Sequence, residues 1–209
     1  MRGLLDRWLG SREPAERARW VVVDCETSGL DVTRDRLLSI GAVALQHGRI
    51  EFAEAFSRLL RQEAPSRADN ILVHGIGGDA QAGGDEPARV LRDFFAYAGP
   101  GPLVAFHAPF DRAVLERAAR AQGLRWKRKW LDLAELLVVL LPARAKQCRG
   151  LDDWLQAFSI AHESRHDALG DAYATAQLLQ VALAEAKRHG FATVADVLGA
   201  GVSGRWSGH

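Results

Sequence analysis

Asp24-Cys25-Glu26 ends the apolar run Trp20-Val21-Val22-Val23. Side chains alternate along a strand, so the two acids would share one face and Cys25 would take the other. Two carboxylates at the end of a buried strand repel each other and are poorly solvated, and a divalent cation removes that cost. Hard oxygen donors suit magnesium or manganese rather than zinc. The alternative is a strand that runs out into solvent with two exposed acids.

Two further segments carry groups of the same kind. Phe106-His107-Ala108-Pro109-Phe110-Asp111 places Asp111 in a first helical turn, where an acid also suits the helix dipole. His166-Asp167-Ala168-Leu169-Gly170-Asp171 opens the longest helical pattern in the chain. Asp167 is a suitable N-cap, which leaves His166 in the preceding loop and Asp171 in the first turns. Five residues apart on a continuous helix, His166 and Asp171 would diverge by about 140°; with His166 off the helix, both can face one site. Gly170 costs about 1 kcal/mol relative to alanine inside a helix, and its missing side chain gives room for a strand or ligand. Without a site, the segment is simply a capped helix with a solvent-facing histidine.

These residues need a scaffold. Trp20 to Val23, Leu37 to Leu45 and Ile50 to Leu59 read as three strands of an antiparallel meander, with His47-Gly48 as a turn. Residues 77–84 read as a flexible loop. A helix over Pro87 to Tyr97, a strand at Leu103 to Phe106 and a helix over Phe110 to Gln122 follow. A fifth strand at Trp130 to Leu133 leads into a helix to Leu141. Helices at Leu151 to Phe158 and Ala168 to Arg188 complete the pattern, the last stopped by Gly190. The order predicts an α/β domain with a mixed sheet. Residues 1–18 read as an N-terminal helical extension, with Leu4, Leu5, Trp8 and Leu9 on one face. Residues 19–190 form the main domain and 191–209 a Gly/Ser-rich tail.

A net charge of +1 excludes a basic nucleic-acid coat, so binding to nucleic acid must come from a local arrangement. Two cysteines exclude a disulfide scaffold and favour a reducing compartment. No segment reads as an export signal or a membrane span, and a cytoplasmic protein is expected. Arg125-Trp126-Lys127-Arg128-Lys129-Trp130 is the densest basic cluster; it reads as a solvated loop or as a guide for a single strand.

The order of the acids, with the residues around them, resembles the DEDDh 3'-5' exonucleases, the family of polymerase proofreading subunits and ribonuclease T. The likeness covers Trp20 to Leu183. Asp24 to Leu30 resembles the first motif, Val73-His74-Gly75-Ile76 the His-Gly-Ile segment, Phe110-Asp111 the second motif and His166 to Asp171 the third. The family has asparagine where this chain has His107, so His107 is not the catalytic histidine.

The resemblance implies a ribonuclease-H-like fold, a five-stranded mixed sheet flanked by helices. It implies two Mg2+ or Mn2+ ions held by Asp24, Glu26, Asp111 and Asp171, with His166 as general base on the attacking water. It also places Thr27, Leu30, His74 and Phe110 around the terminal nucleotide. The implied substrate is a single-stranded 3' end, DNA favoured over RNA, released as nucleoside 5'-monophosphates. A polymerase or other protein partner stays open, as does a non-catalytic binding module on the same fold. A phosphohydrolase of the His-Asp type would be all-helical, which the strands oppose.

Overall fold

The first strand runs further than its β-branched residues. In the computed structural model, which describes residues 12–162 and 167–203, β1 spans Trp20–Thr27 and carries both acids of the triplet. It lies inside the sheet, pairing antiparallel with β2 (Leu37–Gln46) and parallel with β5 (Leu103–Ala105), which pairs parallel with β6 (Trp130–Asp132). A strand with neighbours on both edges and helices on both faces must be apolar nearly throughout, and Trp20 to Val23 are fully enclosed.

The third strand of the meander is divided. A 3-10 turn at Phe52–Glu54 separates β3 (Arg49–Ile50) from β4 (Phe56–Leu59), and both pair antiparallel with β2. The sheet order is β3-β2-β1-β5-β6, with β4 also on β2. Six segments thus fill the five positions expected of a ribonuclease-H-like sheet. His47 and Gly48 both have positive φ, as the turn signal required.

Alternation along β1 sorts the core into two layers. Trp20 and Val22 face one layer with the helices α5 (Leu133–Leu140), α8 (Ala168–Arg188) and α9 (Val194–Ser203). Val21, Val23 and Cys25 face the other, with α3 (Pro87–Ala98) and α4 (Ala108–Ala121). The buried face of α8 includes Ala172, Ala174, Ala176, Ala182 and Ala186, small residues that let it lie close against β1 and β2. Gly41 on β2 completes that approach. A β-carbon there would collide with the Ala168 and Leu169 backbone at the start of α8.

Some readings change. Residues 77–84 are not an open loop: α2 (Gly78–Ala82) forms there. Gln81 is buried and ties the segment down, accepting from Ser66 N and donating to Ser66 Oγ and Ile76 O, each at 2.8 Å. Composition showed the glycines but not this long-range amide contact. Residues 12–18 and 191–203, assigned to an extension and a tail, pack on the same body. Ala15, Ala18, Val194 and Val197 join the core, and Pro14 bridges Thr193. The amphipathic pattern at Leu4, Leu5, Trp8 and Leu9 lies outside the described residues. Trp126 of the basic cluster stacks on Phe95 at 4.1 Å, so that aromatic belongs to the core. Among the described residues, no helix is long and apolar enough to cross a membrane.

Candidate active site

Asp24 and Glu26 point to the face of β1 that α8 covers, because they alternate with Cys25. Asp171 lies in the first turn of α8 and is 6% exposed. The N-cap that sets this register is present: the Asp167 carboxylate accepts from Gly170 N at 3.1 Å. One carboxylate oxygen from each of Asp24, Glu26 and Asp171 lies within 4.8 Å of the others. Asp24 is register partner to Gly41, the residue under the start of α8, so the same close approach brings the helix acid to the strand acids.

Asp111 is not one of the three but adjoins them through Cys25. It sits in the first turn of α4, in the opposite layer, and is 4% exposed. Its carboxyl accepts from the Cys25 thiol and from the Cys25 backbone N–H. Burial drives its pKa from the ordinary 3.8 up to about 7; the Glu26 charge adds to the rise and the hydrogen bonds oppose it. The Cys25 thiol is itself pushed well up, first by burial and then by Asp111 and Asp24. Three carboxylates in one small volume, beside a fourth whose charge is so costly, fit a divalent cation site. Oxygen donors of this kind match hard ions.

Two positions explain themselves through the backbone. His107 caps α4 with φ 64° and ψ 50°, in the left-handed region. Asparagine and histidine are both enriched there, so the departure at this position is a conformational equivalent. His107 is exposed, and its backbone N–H donates to Asp132 Oδ1 at 3.2 Å. His74 closes α1 (Ala68–His74) and is buried. Its Nδ1 accepts from Ile76 N at 3.0 Å, which leaves the proton on Nε2, 3.3 Å from Ser66 Oγ. These internal bonds give His74 a structural task of holding the turn into Gly75.

Leu30 is 88% exposed on the loop after β1, whereas Phe110 is half-buried against the α4 layer. Thr27 is buried, and its hydroxyl donates to Gly29 O at 2.6 Å. His166 lies outside the described residues. One neighbour of the trio was not foreseen: His162 Nε2 lies 2.8 Å from Asp171 Oδ1. Its sequence surroundings carry no pattern, and only its nearness to His166 in the chain offered a signal.

The sequence profile of an exonuclease family matches residues 21–179, most of the chain and all four acids. The chain belongs to this exonuclease family. A DNA polymerase III subunit epsilon-like protein of Rhodobacter capsulatus is 33% identical over 186 residues, 88% of this exonuclease and 26% of that protein. The PolC-type DNA polymerase III of Bacillus subtilis is 31% identical over 177 residues, 84% of this chain and 12% of that one. The chain thus spans only a minor part of these relatives. Among solved structures, exonuclease X in complex with 5' overhanging duplex DNA superposes with a TM-score of 0.66 at 22% identity, covering 86% of this chain and 99% of that one. Escherichia coli exonuclease I in complex with a dT13 oligonucleotide gives 0.69 at 18% identity, covering 83% and 42%. The two superpositions share the fold, with the mixed sheet and flanking helices expected from the sequence.

Proposed function

We propose that this exonuclease removes nucleotides one at a time from single-stranded 3' ends, DNA in preference to RNA, and releases nucleoside 5'-monophosphates. The observation that carries the reading is the carboxylate trio of Asp24, Glu26 and Asp171 with Asp111 beside it. Asp24, Glu26 and Asp171 would hold one Mg2+ or Mn2+ ion, and Asp24 with Asp111 a second. Bound there, such ions supply Lewis-acid stabilisation of the charge that builds on the phosphate. His166 takes the proton from the attacking water, a task suited to a group that titrates near neutrality. Leu30 presents an apolar surface to the terminal base. Thr27 and Phe110 line the terminal nucleotide, and His74 supports that wall from inside. The preference for DNA is supported by relatives that carry DNA polymerase names and by a fold neighbour that holds dT13. Those names also support a second reading, an exonuclease that serves a polymerase in trans.

The test is digestion of matched single-stranded DNA and RNA, labelled at either end, with magnesium, manganese or chelator, and chromatography of the products. Loss of the 3' label first, as 5'-monophosphates and only with metal, is expected. Metal-independent cleavage, or release from the 5' end, would overturn the reading. Activity that appears only with an added polymerase would favour the second reading.

A further inference from the structure

The loop from Ser28 to Arg36 presents Leu30 to solvent. The loop is nevertheless fixed from within by one carboxylate. Asp35 Oδ1 accepts from Ser28 Oγ at 3.0 Å and Asp35 Oδ2 from Asp31 N at 2.8 Å, one bond on each side of Leu30. Ser28 Oγ in turn accepts from Arg36 N at 2.9 Å, and Ser28 N donates to Arg36 O at 2.9 Å. Gly29 lies so close that a β-carbon there would strike the Asp35 carboxylate.

The loop is also tied from outside. Asn70 on α1 donates to Ser28 O, and Arg117 on α4 donates to Val32 O at 2.8 Å. Arg36 reaches Ala64 O at 2.7 Å. Donors from two other segments thus end on backbone carbonyls of this loop, and its closing residue donates to a third segment.

We infer that Asp35 is a positioning residue for substrate, the hub that holds Leu30 ready for the terminal nucleotide. The inference rests on the exonuclease reading of the site. Binding to a loop already in its bound shape avoids the ordering cost that a slack loop would incur. Loss of the hub therefore weakens binding of the 3' end more than it slows the chemical step.

The experiment compares wild type with Asp35→Ala, Asp35→Asn and Gly29→Ala on a 3'-terminal single-stranded oligonucleotide. Gly29→Ala displaces the carboxylate without removing it, and so serves if Asp35→Ala folds poorly. KM should rise roughly tenfold for Asp35→Ala and Gly29→Ala while kcat stays within about threefold, since the contribution is to preorganisation. Asp35→Asn keeps one acceptor oxygen and should fall between. Affinity for a fluorescent oligonucleotide, measured in an Asp24→Asn background, should drop by the same factor. In a Leu30→Ala background Asp35→Ala should change KM by less than about twofold, because the two act through one contact. Equal falls in kcat with KM unchanged, or full additivity with Leu30→Ala, would overturn the inference alone. A wild-type protein that leaves the oligonucleotide intact would overturn the exonuclease reading and this inference with it.

Discussion

Asp111 offers a measurement that needs no substrate. Its pKa stands at about 7 in the folded protein against an ordinary 3.8, chiefly because it is buried. At about 1.36 kcal/mol for each tenfold change in proton affinity, the ionised group costs the metal-free fold about 4 kcal/mol at pH 8. The sign follows from the direction. The folded state holds the proton more tightly than the unfolded chain, so stability falls as pH rises from 3.8 towards 7 and levels off above. At pH 5 the cost is only about 2 kcal/mol, because the folded carboxyl is still protonated there. Asp111→Asn keeps the shape and an acceptor for Cys25 but has no charge. In chelator the variant should therefore gain on wild type by about 2–3 kcal/mol between pH 5 and pH 8, or about 5–10 °C in Tm for a domain of this size. Carboxylates away from Asp111 cancel, because both proteins carry them; Glu26, whose charge acts on Asp111, does not cancel fully. The assay is urea and thermal unfolding of both proteins at the two pH values. A gap between them that does not change with pH would refute the buried-charge argument. With saturating magnesium the variant's advantage at pH 8 should shrink or reverse, as wild type alone keeps its full set of ligands.

Asp24→Ala, Glu26→Ala, Asp111→Ala and Asp171→Ala should each nearly abolish digestion of an end-labelled oligonucleotide with the fold intact by circular dichroism; wild-type turnover in any of them would sink the assignment. His166→Ala should cut turnover by about 10²-fold or more, the scale of a lost general base, and His107→Ala far less. A larger effect at His107 in the same assay would show that the third motif is misplaced. Metal-free Asp24→Asn should be at least as stable as metal-free wild type and lose most of the metal-induced rise in Tm, read by thermal melts across a magnesium titration. Gly41→Ala leaves every acid in place but pushes on the Ala168 backbone; it should cost about 1–3 kcal/mol by overpacking and lower turnover at least about tenfold. Full activity in that variant would show that α8 can shift without disturbing Asp171.

The chain announces its acids more clearly than their geometry. Alternation along β1 correctly sends Asp24 and Glu26 to one face, and the N-cap at Asp167 correctly sets the start of α8, because both follow from local periodicity. The hydrogen bonds from Cys25 to Asp111 were not legible. They depend on which sheet face α4 covers, a tertiary choice that its own first turn does not encode. His162 was missed for the same reason, since its partner Asp171 is fixed by helix docking. Gly41 makes a close approach to the start of α8 that nothing about a glycine inside a strand had signalled. The short helix over Gly78–Ala82 was hidden because glycine content speaks about the unfolded chain, while Gln81 acts through partners far along it.

The docking of α8 on β1 and β2 also governs when the protein can become a nuclease. Asp24 and Glu26 come from the first strand and Asp171 from a helix that follows every strand in the sequence. Bringing such distant segments together carries the loop-closure entropy of most of the domain. A chain in which α8 is undocked lacks Asp171 beside the strand acids. Asp24, Glu26 and Asp171 would hold a cation together only in chains that have completed this docking, and such a cation would then favour the docked state. The arrangement makes the destructive capacity of the enzyme a property of the finished fold alone.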